Sequence, residues 1–111
     1  MDVIIEKQAG SIGVLRLTGR LDLLSAADLR QHVVQAVAEG THRLVVDLAE
    51  VSFVDSSGLG ALIAGLKAAR LAGGDLRLAQ PTAQTRSLLQ LVGLDRALRL
   101  YATVEDALAG F

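Results

Sequence analysis

The sequence predicts an α/β domain built on a mixed sheet, and three observations carry that prediction. Segments of two-residue and of helical apolar periodicity alternate along the chain after an opening hairpin. The run Leu44-Val45-Val46 is unbroken and largely β-branched, as in a strand covered on both faces. Gly40, Gly73-Gly74 and Gly93 stand where helical patterns stop.

Taken in order, Val3 to Glu6 and Ile12 to Leu17 read as paired strands joined by a turn at Ala9-Gly10-Ser11. In the second of them Leu15 and Leu17 share one face, and Val14 and Arg16 the other. Thr18 to Asp22 is expected to leave the sheet. Ser25 then opens a helix, with Asp28 three residues on in the manner of a capping box, and Ala26, Leu29, Val33 and Val37 as its apolar stripe. The buried strand is expected over Arg43 to Leu48, followed by a connection through Val51 to Asp55. A second helix starts near Ser56 or Ser57, with Leu59, Leu62, Ile63, Leu66 and Ala69 facing inward. The small residues Ala61, Gly65 and Ala68 suit packing within the domain, with the docking of a partner helix as the alternative. Asp75 to Ala79 is a strand with Leu76 and Leu78 inward, and Pro81 sits at the start of a third helix. Leu88, Leu91 and Val92 are expected to form its apolar side. Leu98 to Tyr101 reads as a last strand, and Thr103 caps a short helix over Val104 to Leu108.

With 111 residues, one domain over 1–111 is expected. Hydrophobic residues make up 51% of the chain and aromatics 3%, so the core is aliphatic and folding needs no staple. A net charge of −1 builds no positive field for nucleic acid, so no nucleic-acid partner is expected. The absence of cysteine removes disulfides, thiolate metal sites and cysteine nucleophiles together. The first residues carry no basic-then-apolar leader, and no apolar stretch reaches the roughly 18 residues of a membrane span. A cytoplasmic protein without direct membrane contact is the expectation.

The segment Asp55-Ser56-Ser57-Gly58-Leu59-Gly60 places hydroxyls at a helix N-terminus, where unpaired N–H groups and the dipole favour negative charge. Gly58 and Gly60 each lower helix propensity by about 1 kcal/mol, which points to a close approach of a ligand or another chain. A plain serine cap reads the same residues structurally. Gly58-x-Gly60 is half of a dinucleotide fingerprint, but Ile63 occupies the third glycine position and no acidic residue ends the following strand. The phosphate-loop pattern fails as well, since Lys and Ser/Thr do not follow Gly65. His32 and His42 show no metal-ligand spacing, and a hydrolase would need one of them brought to Ser56. Asp47 and Asp55 read as strand-end solvation and helix capping rather than as paired carboxylates.

The sequence resembles the STAS domain of anti-sigma factor antagonists. The resemblance is carried by Leu17-Thr18-Gly19-Arg20-Leu21-Asp22, Leu44-Val45-Val46-Asp47-Leu48, Val51-Ser52-Phe53-Val54 leading into Asp55 to Gly60, and Leu91-Val92-Gly93-Leu94. It implies a STAS-like mixed sheet of four to five strands with helices packed mainly on one face. It further implies a binding protein, not an enzyme, that needs no cofactor. The implied partners are an anti-sigma factor that is also a serine kinase with a histidine-kinase-like ATP fold, and a serine phosphatase. Ser56 matches the phosphoacceptor, and Ser57 its neighbour. Asp22, Asp55, Gly58, Leu59 and Gly60 complete the implied partner-binding set. Arg20 stands where relatives carry Glu, and Leu23-Leu24 is more apolar than usual, which bears on which partner is bound. Alternatives of other classes are a STAS interaction module of a transporter, lipid-trafficking or stress-sensing complex, and a hydrolase acting through Ser56.

Overall fold

The computed structural model describes residues 1–111. Strands β1 (Asp2–Lys7) and β2 (Ile12–Leu21) form the expected antiparallel hairpin, turned at Gly10 with φ +71°. Helix α1 (Leu23–Ala38) crosses back to β3 (Arg43–Val54), and α2 (Ser56–Leu71) returns the chain to β4 (Asp75–Ala79). Then come α3 (Ala83–Leu91), the two-residue β5 (Leu100–Tyr101) and α4 (Val104–Leu108). The five strands lie in chain order, β1 antiparallel to β2 and the rest parallel. The order ββαβαβαβα and the mixed sheet are as the periodicities predict.

Alternation along each strand divides the apolar residues between two faces. Leu15, Leu44, Val46, Leu76 and Leu78 join Leu29 and Val33 of α1, Leu62 and Leu66 of α2 and Leu89 of α3 in the main core. Val14, Val45 and Ala79 point the other way and meet Val104 and Ala107 of α4, with Tyr101, Leu108 and Phe111 around them. Three helices cover one face and a short one the other. Ala61 and Gly65 are buried, and a side chain at Gly65 would meet Leu76 Cδ1 at 3.1 Å and Val33 at 3.4 Å. The small residues of α2 therefore serve packing within the fold.

Several boundaries differ from the sequence expectation, each for a local reason. β2 and β3 continue well past Leu17 and Leu48. Their pairing runs Arg16–Asp47, Thr18–Glu50, Gly19–Val51, Arg20–Phe53 and Leu21–Val54, so β3 twice inserts an extra residue. Val51 and Val54 follow Leu48 as buried residues at a spacing of three, and period-two reading mistakes the stretch beyond Leu48 for a connection. α1 begins at Leu23 because Asp22 is its cap. The Asp22 carboxylate accepts from the Leu24 N–H at 3.1 Å, and Ser25 Oγ accepts from the Asp22 N–H at 2.9 Å. The reciprocal box is thus Asp22 with Ser25, one turn earlier than Ser25 with Asp28. Pro81 precedes the actual α3 cap, Thr82. Leu89 is the buried anchor of α3, while Leu91 is 83% exposed and Val92 faces solvent.

Candidate functional site

The site forms where β2 and β3 end side by side. Leu21 and Val54 are paired, and the Asp55 N–H donates to the Leu21 carbonyl at 3.2 Å, so the two strands deliver Asp22 and Asp55 to one edge. Each aspartate caps the helix that follows. Asp55 Oδ1 accepts from the Gly58 N–H at 2.9 Å, which satisfies one of the four free amides of the α2 terminus.

Ser56 is therefore the first residue inside α2, and it is exposed. Ser57 is half-buried, and Leu59 turns into the core with 4% exposure. Gly58 is enclosed from within: a Cβ there would run into the Leu21 carbonyl and lie 2.8 Å from Leu21 Cγ. The close approach that its glycine signals is made by β2, not by a ligand. Gly60 is half-buried; a Cβ there would stand 3.5 Å from the Arg30 guanidinium, an ordinary contact. Of the segment, Ser56 and its flanks offer surface, while Gly58 and Leu59 fix the helix that presents them.

Asp22 is held on several sides. Partial desolvation opposes its ionisation, yet hydrogen bonds from Arg20, from the Leu24 and Ser25 amides and from the Ser25 hydroxyl outweigh this and keep its pKa below the usual value. Arg20 Nε lies 3.4 Å from Asp22 Oδ2, and its guanidinium also stacks over the Phe53 ring at 4.4 Å. Next to Asp22, Leu23 and Leu24 are 73% and 91% exposed. An open hollow lined by Arg20, Asp22, Leu24 and Asp28 adjoins them.

The other candidate groups are placed elsewhere. Asp47 does not sit solvated at a strand end; it is buried on the α4 face. There it accepts from Arg16 Nη1 at 2.9 Å, Gln80 Nε2 at 3.0 Å and the Ala49 N–H at 3.0 Å. Gln80, the donor of one of these bonds, has a backbone φ of 55°. His42 precedes β3 and Ser56 follows it, so the whole strand separates them. His32 lies about 15 Å along α1 from Asp22 by helical rise, with Nδ1 at 2.8 Å from the Asp28 carbonyl oxygen. Neither histidine is brought to Ser56.

One residue at the site went unnoticed in the sequence. Gln84 in α3 bonds both backbone groups of Val54, the residue before Asp55. A glutamine in a first helical turn gives no signal of such a role.

An exposed serine at an aspartate-capped helix start, on a five-stranded mixed sheet of this order, defines the class of α/β fold to which the chain is compared. Residues 4–107 match the STAS domain, and the chain belongs to that family. It is 35% identical over 106 residues to the anti-sigma-F factor antagonist RsfB of Mycobacterium tuberculosis, covering 89% of this chain and 80% of that protein. The crystal structure of an anti-sigma factor antagonist from Mycobacterium paratuberculosis superposes with a TM-score of 0.85 at 32% identity, covering 96% of this chain and 90% of that one. The Bacillus cell fate determinant SpoIIAA in its phosphorylated form gives a TM-score of 0.74 at 25% identity, covering 96% of each.

Proposed function

We propose that this protein is an anti-sigma factor antagonist whose binding is switched off by phosphorylation of Ser56. The observation that carries the reading is the exposed Ser56 at the first position of α2, next to the capping residue Asp55. Family membership and a relative solved in a phosphorylated form support it. The unmodified surface of Asp22, the exposed Leu23 and Leu24, Asp55, Ser56, Ser57 and Gly60 engages an anti-sigma factor that is also a serine kinase with a histidine-kinase-like ATP fold. That engagement frees the sigma factor.

In the modification step, Ser56 Oγ attacks the γ-phosphorus of the kinase's ATP, its proton passes to a base on the kinase, and ADP leaves. The chain itself supplies no catalytic group and needs no cofactor. The new group carries about −1.5 to −2 charges. In the free protein the α2 terminus offsets part of its cost, by about 0.3–2 kcal/mol, while Asp55 opposes it. In the complex the same dianion is desolvated or set against acidic groups, at a cost of several kcal/mol. The modified protein therefore stays folded and lets go. A serine phosphatase restores it, and the cycle runs in the cytoplasm, where the kinase finds ATP.

Incubation with the cognate kinase and ATP, followed by peptide mapping by mass spectrometry, tests the assignment. Phosphate is expected on Ser56, with Ser56→Ala still binding the kinase but staying unmodified. Phosphate on Ser57 in the wild type, or on neither serine, overturns it.

A further inference from the structure

β3 outruns its neighbour on one side. β4 stops at Ala79, opposite Asp47, whereas β3 continues to Val54. Residues 48–54 therefore have no β4 partner along that edge. At the last of them, Gln84 fills the gap. The Val54 N–H donates to Gln84 Oε1 at 3.1 Å, and Gln84 Nε2 donates to the Val54 carbonyl at 2.9 Å. One side-chain amide thus makes both bonds that a residue of a neighbouring strand would make.

The other edge of Val54 pairs with Leu21, and the next amide, of Asp55, bonds the Leu21 carbonyl. The backbone entering Asp55-Ser56 is gripped from both sides, by main chain on one and by Gln84 on the other. α3 does not need these bonds to dock. Thr82 Oγ1 caps it by accepting from the Thr85 N–H at 3.3 Å, Leu89 anchors it in the core, and Gln84 is largely exposed.

We propose that Gln84 is a positioning residue for Ser56: its amide fixes the end of β3, and so the place and pitch at which Asp55 and Ser56 meet the partner. This inference rests on the reading of Ser56 as the phosphoacceptor. Losing the grip leaves the fold standing and lets the Ser56 hydroxyl wander from the geometry that phosphoryl transfer requires.

Gln84→Met keeps length and helix propensity while removing both bonds; Gln84→Glu keeps the acceptor for the Val54 N–H and loses the donor. Amide hydrogen exchange at Val54 and Asp55 is expected to quicken about tenfold in the Met variant, with Leu44 and Val46 unchanged. The kcat/KM for Ser56 phosphorylation by the cognate kinase is expected to fall about tenfold through kcat, and less in the Glu variant. Wild-type exchange at Val54, faster exchange of every amide together, or wild-type kcat/KM despite faster local exchange overturns the proposal. A wild-type protein that its kinase leaves unmodified removes the phosphoacceptor reading instead, and the exchange data still decide whether Gln84 holds Val54.

Discussion

The starts of α1 and α2 solve one problem in two ways. Both helices leave adjacent strand ends, and both are capped by an aspartate, Asp22 or Asp55. α1 closes its cap from within: Ser25 answers Asp22 in a reciprocal box, and the positions between them are two exposed leucines. In α2 no side chain answers Asp55, and the terminus is held from outside, by Leu21 against Gly58 and by Gln84 on Val54. A self-contained cap leaves its first turn free to offer apolar surface. An externally braced one leaves a hydroxyl free for chemistry while the backbone beneath it stays fixed.

The sharpest way to break this comparison is to add one carbon inside the brace. Gly58→Ala forces the helix away from the Leu21 backbone and should cost about 3 kcal/mol. Gly60→Ala, two residues on, should stabilise by about 0.8 kcal/mol through helix propensity alone. Urea unfolding of the two variants checks this, and equal losses would mean that α2 is not pressed against β2. On the α1 side, Leu24→Ser should leave the urea midpoint in place and weaken partner binding about tenfold, as expected for losing one buried leucine. Full affinity would show that the exposed leucines are not part of the surface.

A smaller contrast lies between the two residues at the α2 start. Asp55→Ala should cost about 1 kcal/mol as a lost cap, whereas Ser56→Ala should change stability by less than about 0.5 kcal/mol. The reverse order in thermal unfolding would make Ser56 the cap. The smallest effect concerns acid. The Asp22 pKa in the folded protein lies below its usual 3.8, so the contribution of its ionised form is complete above that value and fades as pH falls through the lower folded pKa. NMR titration of the Asp22 carboxyl should show a midpoint below 3.8, and one that rises when Arg20 is replaced by Gln. A midpoint at or above 3.8 would mean that Arg20 and the capping amides do not hold the carboxylate.

Much of this was legible in the residues. The aliphatic run at Leu44 to Val46, the helical stripes and the terminating glycines gave the element order, because burial against one sheet imposes those periods directly. The segment from Asp55 to Gly60 announced a helix start with a hydroxyl at it. What stayed hidden depended on contacts between distant segments. The extra residues in β3 make sense only against the register of β2, so Val51 and Val54 read as a connection. Asp22 and Ser25 form a box in the order opposite to the familiar pattern. Buried Asp47 is held by Arg16 of β2 and by Gln80, just past β4, and Leu91 is exposed because it lies two residues beyond buried Leu89, on the opposite face of α3. Gly58 signals a close approach in the sequence, and the approaching group is the chain's own Leu21.

The central claim is that one phosphate on Ser56 turns a binding surface into a non-binding one without unfolding it. Titration calorimetry of the cognate anti-sigma factor against the unmodified and the Ser56-phosphorylated protein measures this directly. The account predicts an affinity about a hundredfold weaker for the phosphorylated form, roughly 3 kcal/mol, with the far-ultraviolet circular dichroism unchanged. Equal affinities for the two forms would contradict it.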